Sequence, residues 1–221
     1  MTEHIRDILR DLERVRENML ALSDDIWLSI DHNDPEALQE GVEFKKEYND
    51  KMSAFDRLAT DISELVQQFT NVQVEEETAP VTDSENERIV RDLNKEEPHQ
   101  LAENFTFKRP YGFILCGRAF KNVNTWRRMF ELVCRELQKH DAKKFASLPE
   151  NKAFQNSRGK STFASSPDKL RAAVKLTEDV YAEVNLSANG IRDVMQKLLE
   201  VYEIPAEDMT VFLRQDRDAV E

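Results

Sequence analysis

From Ile5 the apolar residues fall at Ile5, Ile8, Leu12, Val15, Met19, Leu22 and Ile26, in alternating steps of three and four. That spacing fills the a and d positions of successive heptads and predicts a helix with a coiled-coil seam. Leu9, Leu20, Trp27 and Ile30 widen the stripe, so a bundle is expected rather than a lone zipper. The pattern stops at Asp31-His32-Asn33-Asp34-Pro35. There Asp34 is a natural N-cap, Pro35 suits a first helical position and Glu36 suits a first turn. A second seam follows at Tyr48, Met52, Phe55, Ala59, Ile62, Val66 and Phe69, with Leu38, Val42 and Phe44 nearer the start. Gly41 interrupts that helix at a cost of about 1 kcal/mol relative to alanine. Residues 1–72 therefore read as an antiparallel helical hairpin with more apolar stripe than two helices can cover. Homo-oligomerisation through residues 1–72, or capture of a partner's helices, is the expected consequence.

After Phe69 the chain turns polar, and residues 73–103 hold 10 acidic and 3 basic side chains. So few apolar groups cannot offset the cost of ordering, which predicts an acidic flexible linker over 73–104. One short helix is allowed there, from the capping-box form Ser84-x-x-Glu87 followed by Ile89, Val90 and Leu93.

Residues 105–221 alternate between strand and helix signals. Gly112 to Gly117 and Ala119 to Val123 read as a β-hairpin. Asn124 or Thr125 caps a helix with Trp126, Met129, Phe130, Val133, Cys134 and Leu137 on one face and Arg128, Arg135 and Lys139 on the other. Val180 to Val184 reads as a strand, Ser187 as the N-cap of a helix ended by Pro205, and Met209 to Leu213 as a last strand. The expected class is α+β overall: a bundle-forming hairpin followed by a small α+β domain.

Charge changes this picture more than composition does. The 221 residues carry 31 Lys plus Arg and 43 Asp plus Glu, for a net charge of −12, which excludes a uniformly basic coat protein. Residues 105–175 nevertheless hold 16 basic and 5 acidic side chains. Within that span Lys143, Lys144, Lys152, Arg158, Lys160, Lys169, Arg171 and Lys175 are interleaved with Phe145, Phe154 and Phe163. Cations release counterions from phosphates and aromatic rings stack on unpaired bases, so this span is the candidate nucleic-acid face. Its expected contacts are Lys108, Arg109, Arg118, Lys121, Arg128, Arg135, Arg158 and Lys160. The acidic linker beside it is positioned to compete for the same cations.

Other chemistry is sparse. Ser187, Asn189 and Gly190 open a helix with backbone amides available to an anion, although ordinary capping explains them as well. Pro167-Asp168 with Glu183-Val184-Asn185 is similar to part of the PD…(D/E)xK pattern of metal-dependent nucleases, but Asn185 stands where the lysine belongs. Cys116 and Cys134, the only cysteines, lie in apolar patterns with His140 the one nearby histidine, a poor basis for a nucleophile. His4 and His32 have no companions at ligand spacing, so neither a metal nor another cofactor is expected. No apolar run approaches the roughly 20 residues of a membrane span, which makes the cytoplasm the expected address. The function expected is non-enzymatic: an oligomeric binding protein contacting DNA or RNA through a basic face. A protein–protein adaptor of a larger complex is the alternative, and a divergent metal-dependent nuclease the third.

Overall fold

A computed structural model describes residues 2–72, 82–155 and 160–214. The fold is α+β, with two long N-terminal helices followed by a small domain containing two antiparallel sheets. Helix α1 runs Thr2–Ser29 and α2 runs Pro35–Thr70. Asp34 makes the turn between them: its carboxylate accepts the amides of Glu36 (2.9 Å) and Ala37 (3.4 Å), and Pro35 opens the helix. Asn71, with φ 52°, closes α2 in the left-handed conformation that asparagine tolerates. The helices are tied by Tyr48 donating to the Met19 carbonyl (2.8 Å) and by Lys45 donating to Ser23 (2.8 Å) and Asp24 (2.9 Å). A Cβ at Gly41 would lie 2.2 Å from the Ile30 Cδ1, the far end of a side chain that would have to move aside.

The buried line of α1 is not the heptad seam. Leu9, Arg16, Glu17, Leu20, Ala21 and Ser23 face inward, whereas Ile8, Val15 and Leu22 are 53%, 48% and 44% exposed. On α2, Met52, Asp56 and Ala59 are buried while Leu58, Ile62, Leu65 and Phe69 form an outward stripe, Phe69 being 88% exposed. The helix turns Arg16 and Glu17 inward because their partners belong to α2 and to the α+β domain, as set out below.

The expectation of a flexible linker over 73–104 is corrected for residues 82–104, which belong to the folded domain. The N-cap of helix α3 (Asp83–Leu93) is Thr82, two residues before Ser84, and it forms a capping box with Glu85. Leu93 is fully buried against Ala119 and Phe212, and Leu101 enters the main core. Two buried leucines, each contributing about 1.5–3 kcal/mol, and a reciprocal cap offset the ordering cost that the acidic composition implies. Residues 73–81 of that segment lie outside the described residues.

The larger sheet has the order β1-β7-β2-β3, built from Pro98–His99, Met209–Leu213, Pro110–Leu115 and Arg118–Lys121, all antiparallel. Cys116 (φ 48°) and Gly117 (φ 78°) form the two-residue turn between β2 and β3, as a tight hairpin requires. Helix α4 (Trp126–His140), capped by Thr125, packs its predicted apolar face on this sheet; after it come the short α5 (Ala142–Ala146) and two single turns. The smaller sheet, order β4-β6-β5, pairs Phe163–Ala164 and Ala173–Lys175 with Tyr181–Glu183. Helix α6 (Ala188–Tyr202) joins both sheets in one core, where Phe130, Phe154 and Phe163 meet edge to face or tilted.

Candidate functional site

The hairpin is held to the domain by ionisable groups removed from water. Arg16, 1% exposed, pairs with Asp56 of α2 through its Nε, with Glu13 through Nη1 (2.9 Å), and donates from Nη2 to the Val184 carbonyl (2.8 Å). Glu17 Oε1 accepts the amides of Trp126 (2.6 Å) and Arg127 (3.2 Å), so a residue of α1 satisfies the open first turn of α4. Burial pushes the Glu17 carboxyl up to about 8, and neighbouring Glu13 adds to this; the two amides and Arg16 pull the other way. None of this was visible in the periodicity, which places charged residues outward by default.

The eight cations expected to form one basic face are not equivalent. Arg118 pairs with Glu136 (3.2 Å), Lys121 with Asp92 (3.2 Å) and Arg128 with Glu131 (3.3 Å). The hydrogen bond to Asp92 also raises the Lys121 pKa. Asp92 belongs to the acidic stretch expected as a linker, here fixed in α3. Lys108 is exposed, and its backbone carbonyl receives the Trp126 indole N–H (2.8 Å). Arg109 is half-buried and Arg135 exposed, while Arg158 lies outside the described residues. Lys160 sits elsewhere, on the rim of a cleft.

That cleft has a volume of about 390 Å³ and lies between the small sheet and α6. Its lining includes the cations Lys160, Lys169, Arg171 and Lys197 and the acid Glu183. The side chains of Lys169, Arg171 and Lys197 have no ion-pair partner among the described residues. Phe154, Leu170 and Leu186 supply apolar wall, and Ser161, Thr162 and Gln155 add polar groups. Glu183 organises this region. Its carboxylate accepts the amides of Arg171 (2.8 Å), Ala172 (3.1 Å) and Asn185 (2.8 Å), pinning the 170–172 segment beside β6. Asn185 itself is only 9% exposed, and its Oδ1 has no hydrogen-bond partner. A buried acceptor in that state costs about 1–3 kcal/mol until a donor reaches it.

Sequence reasoning placed Lys169 and Arg171 in the basic span but not among the expected contacts, and passed over Lys197. The available signal was Lys197 as a cation on the polar face of an amphipathic helix.

The remaining candidates are structural. Ser187 accepts the Gly190 amide (3.3 Å). Asn189 is spent on Phe105, Asn104, Thr106 and Arg192. The helix start therefore binds its own chain. Glu183 is occupied by three amides and Asp168 by the Ser166 hydroxyl (3.3 Å). Among the described residues no group of three or more His, Cys, Asp or Glu could hold a metal. Cys134 has its thiol pushed well up by burial and by Glu131, and Cys116 is raised by partial burial and Asp208, the opposite of activation. No described helix is long and apolar enough to cross a membrane.

No family model, curated protein or solved structure matches the chain.

Proposed function

We propose that this chain is a non-enzymatic, oligomeric protein that binds nucleic acid through the cationic mouth of the cleft. The observation that supports it is the convergence of Lys169, Arg171 and Lys197, which make no ion pair among the described residues, with Lys160 on a cleft whose described lining holds one acid, Glu183, while Arg118, Lys121 and Arg128 are offset by Glu136, Asp92 and Glu131. Lys169, Arg171 and Lys197 are thus placed to meet phosphates. Fluorescence anisotropy of a labelled single-stranded oligonucleotide with the full chain tests this. Three or four phosphate contacts give a slope of log affinity against log salt of about −2 to −3. The triple variant Lys169→Glu/Arg171→Glu/Lys197→Glu is expected to abolish binding, and Lys121→Glu to leave it nearly intact. No binding by the wild type at about 50 mM salt overturns the reading.

Self-association through the hairpin is supported by the outward stripe Leu58, Ile62, Leu65 and Phe69, spaced four, three and four. Linked copies would raise the effective concentration of weak phosphate contacts. Light scattering is expected to give a multiple of the chain mass for the wild type and a monomer for Leu65→Glu/Phe69→Glu. A monomeric wild type would remove self-association and leave the stripe to a protein partner, the adaptor reading that the same stripe favours.

A further inference from the structure

We infer that a second copy of this chain covers the face of the hairpin turned away from the α+β domain, so that α1 and α2 of two copies form a four-helix bundle with the two domains on its outside. This rests on the self-association proposed above and deepens it, by fixing which face is used and by adding α1 to the interface.

The face follows from the phase of the two helices. Glu17 of α1 and Asp56 of α2 mark the side toward the domain. Glu17 accepts the amides of Trp126 and Arg127, and Asp56 holds Arg16, whose guanidinium reaches the Val184 carbonyl. At about 100° per residue, Ile8, Val15 and Leu22 lie about 140–180° around α1 from Glu17. Leu58, Ile62, Leu65 and Phe69 lie about 120–180° around α2 from Asp56. Both apolar lines therefore look away from the domain and share one side of the hairpin. Both also keep a heptad spacing, seven and seven on α1 and four, three and four on α2, the repeat that lets helices pack side by side over several turns.

Size and shape select the occupant. These side chains are 43% to 88% exposed and offer on the order of 100 Å² each, roughly 700 Å² per copy, against about 800 Å² per partner in a stable interface. A single foreign helix would lodge between α1 and α2 and leave the outer part of the face bare. Leu65, 67% exposed, lies about 140° around α2 from Met52, which is buried where α2 packs on α1. A second two-helix face of the same width and spacing covers the whole, and another copy of the chain supplies it. The opposite side of α1 is already committed to its own domain through Arg16 and Glu17.

Sedimentation equilibrium of the full chain tests the assignment. The wild type is expected at twice the chain mass. Val15→Glu and Leu22→Glu, both on α1, should each raise the dissociation constant at least about tenfold, as Leu65→Glu does on α2. Leu28→Glu is the control. Leu28 is 73% exposed, more than any residue of the α1 line, but lies about 20° around α1 from Glu17 and outside the face, so this variant should dimerise like the wild type. Far-ultraviolet circular dichroism should read the same helix content in all four variants, since each replaces an exposed side chain. A dimer that Leu65→Glu dissociates, while Val15→Glu and Leu22→Glu leave it intact, overturns this inference and leaves self-association through α2 alone. A wild type of three or more chains, a dimer indifferent to all four variants, or one that Leu28→Glu also dissociates overturns the face assigned here while self-association stands. A wild-type monomer overturns both.

Discussion

Replacing Arg16 with alanine is expected to lower the unfolding free energy by about 3–5 kcal/mol, because it leaves Asp56 as a buried charge without its partner. Arg16 and Asp56 are 1% and 6% exposed, and the guanidinium also reaches Glu13 and the Val184 carbonyl. One side chain thus holds α1, α2 and the strand edge next to the cleft. Against a typical total of about 5–15 kcal/mol, the loss is a large fraction of stability. Urea unfolding followed by tryptophan fluorescence measures it, since Trp126 is buried beside the α1 contact.

Two further variants separate the cost of breaking the pair from the worth of having it. Arg16→Met/Asp56→Leu removes both charges and is expected to recover most of the loss, since desolvating an ion pair consumes much of its Coulombic gain. Arg16→Lys should recover little, because a single ammonium cannot reproduce a planar fork that meets Asp56, Glu13 and a carbonyl in three directions. A cost below about 1 kcal/mol for Arg16→Ala is what a solvated surface pair would give, and would show that the hairpin does not dock on the domain in solution.

That docking explains where the sequence was readable and where it was not. Asp34, Thr125 and Ser187 each cap the helix they were expected to cap, because a cap is a local interaction written in a few consecutive residues. The apolar faces of α4 and α6 were legible for the same reason, their period being strong over four turns. On α1 the periodicity pointed to Ile8, Val15 and Leu22, yet the inward line contains Arg16 and Glu17. Their inward position depends on Asp56, Val184 and the amides of Trp126 and Arg127, which lie 40 to 168 residues away in the chain. A hydrophobic pattern carries no record of such partners. Strands β4 and β5, two and three residues long, are too short to show alternation. At the site, counting cations found the basic span but not which of them are paired with Glu136, Asp92 and Glu131. Glu183 looked like a catalytic carboxylate in one dimension and is a backbone clamp in three.

The second large effect is a dependence on pH that Glu17→Gln should remove. With its carboxyl near 8 in the folded chain and about 4.5 when solvated, Glu17 retains a proton on folding throughout the interval between those values. The native state then binds more protons than the unfolded state, so the stability Glu17 contributes is complete below pH 4.5 and is lost as pH rises to 8. The slope is about 1.4 kcal/mol per pH unit, so between pH 6 and 9 the wild type should lose about 2–3 kcal/mol relative to Glu17→Gln. Glutamine keeps the Oε1 that accepts from Trp126 and Arg127 but cannot ionise, and the comparison cancels every other titrating group. Glu17→Leu should behave differently, with a pH-independent cost of about 1–3 kcal/mol for the amides it leaves without an acceptor. Denaturation curves of the three proteins at pH 6, 7.5 and 9 distinguish these cases. Wild-type and Glu17→Gln curves that stay parallel across that range would mean the carboxylate is ionised at the α4 terminus, with the helix dipole and Arg16 outweighing burial.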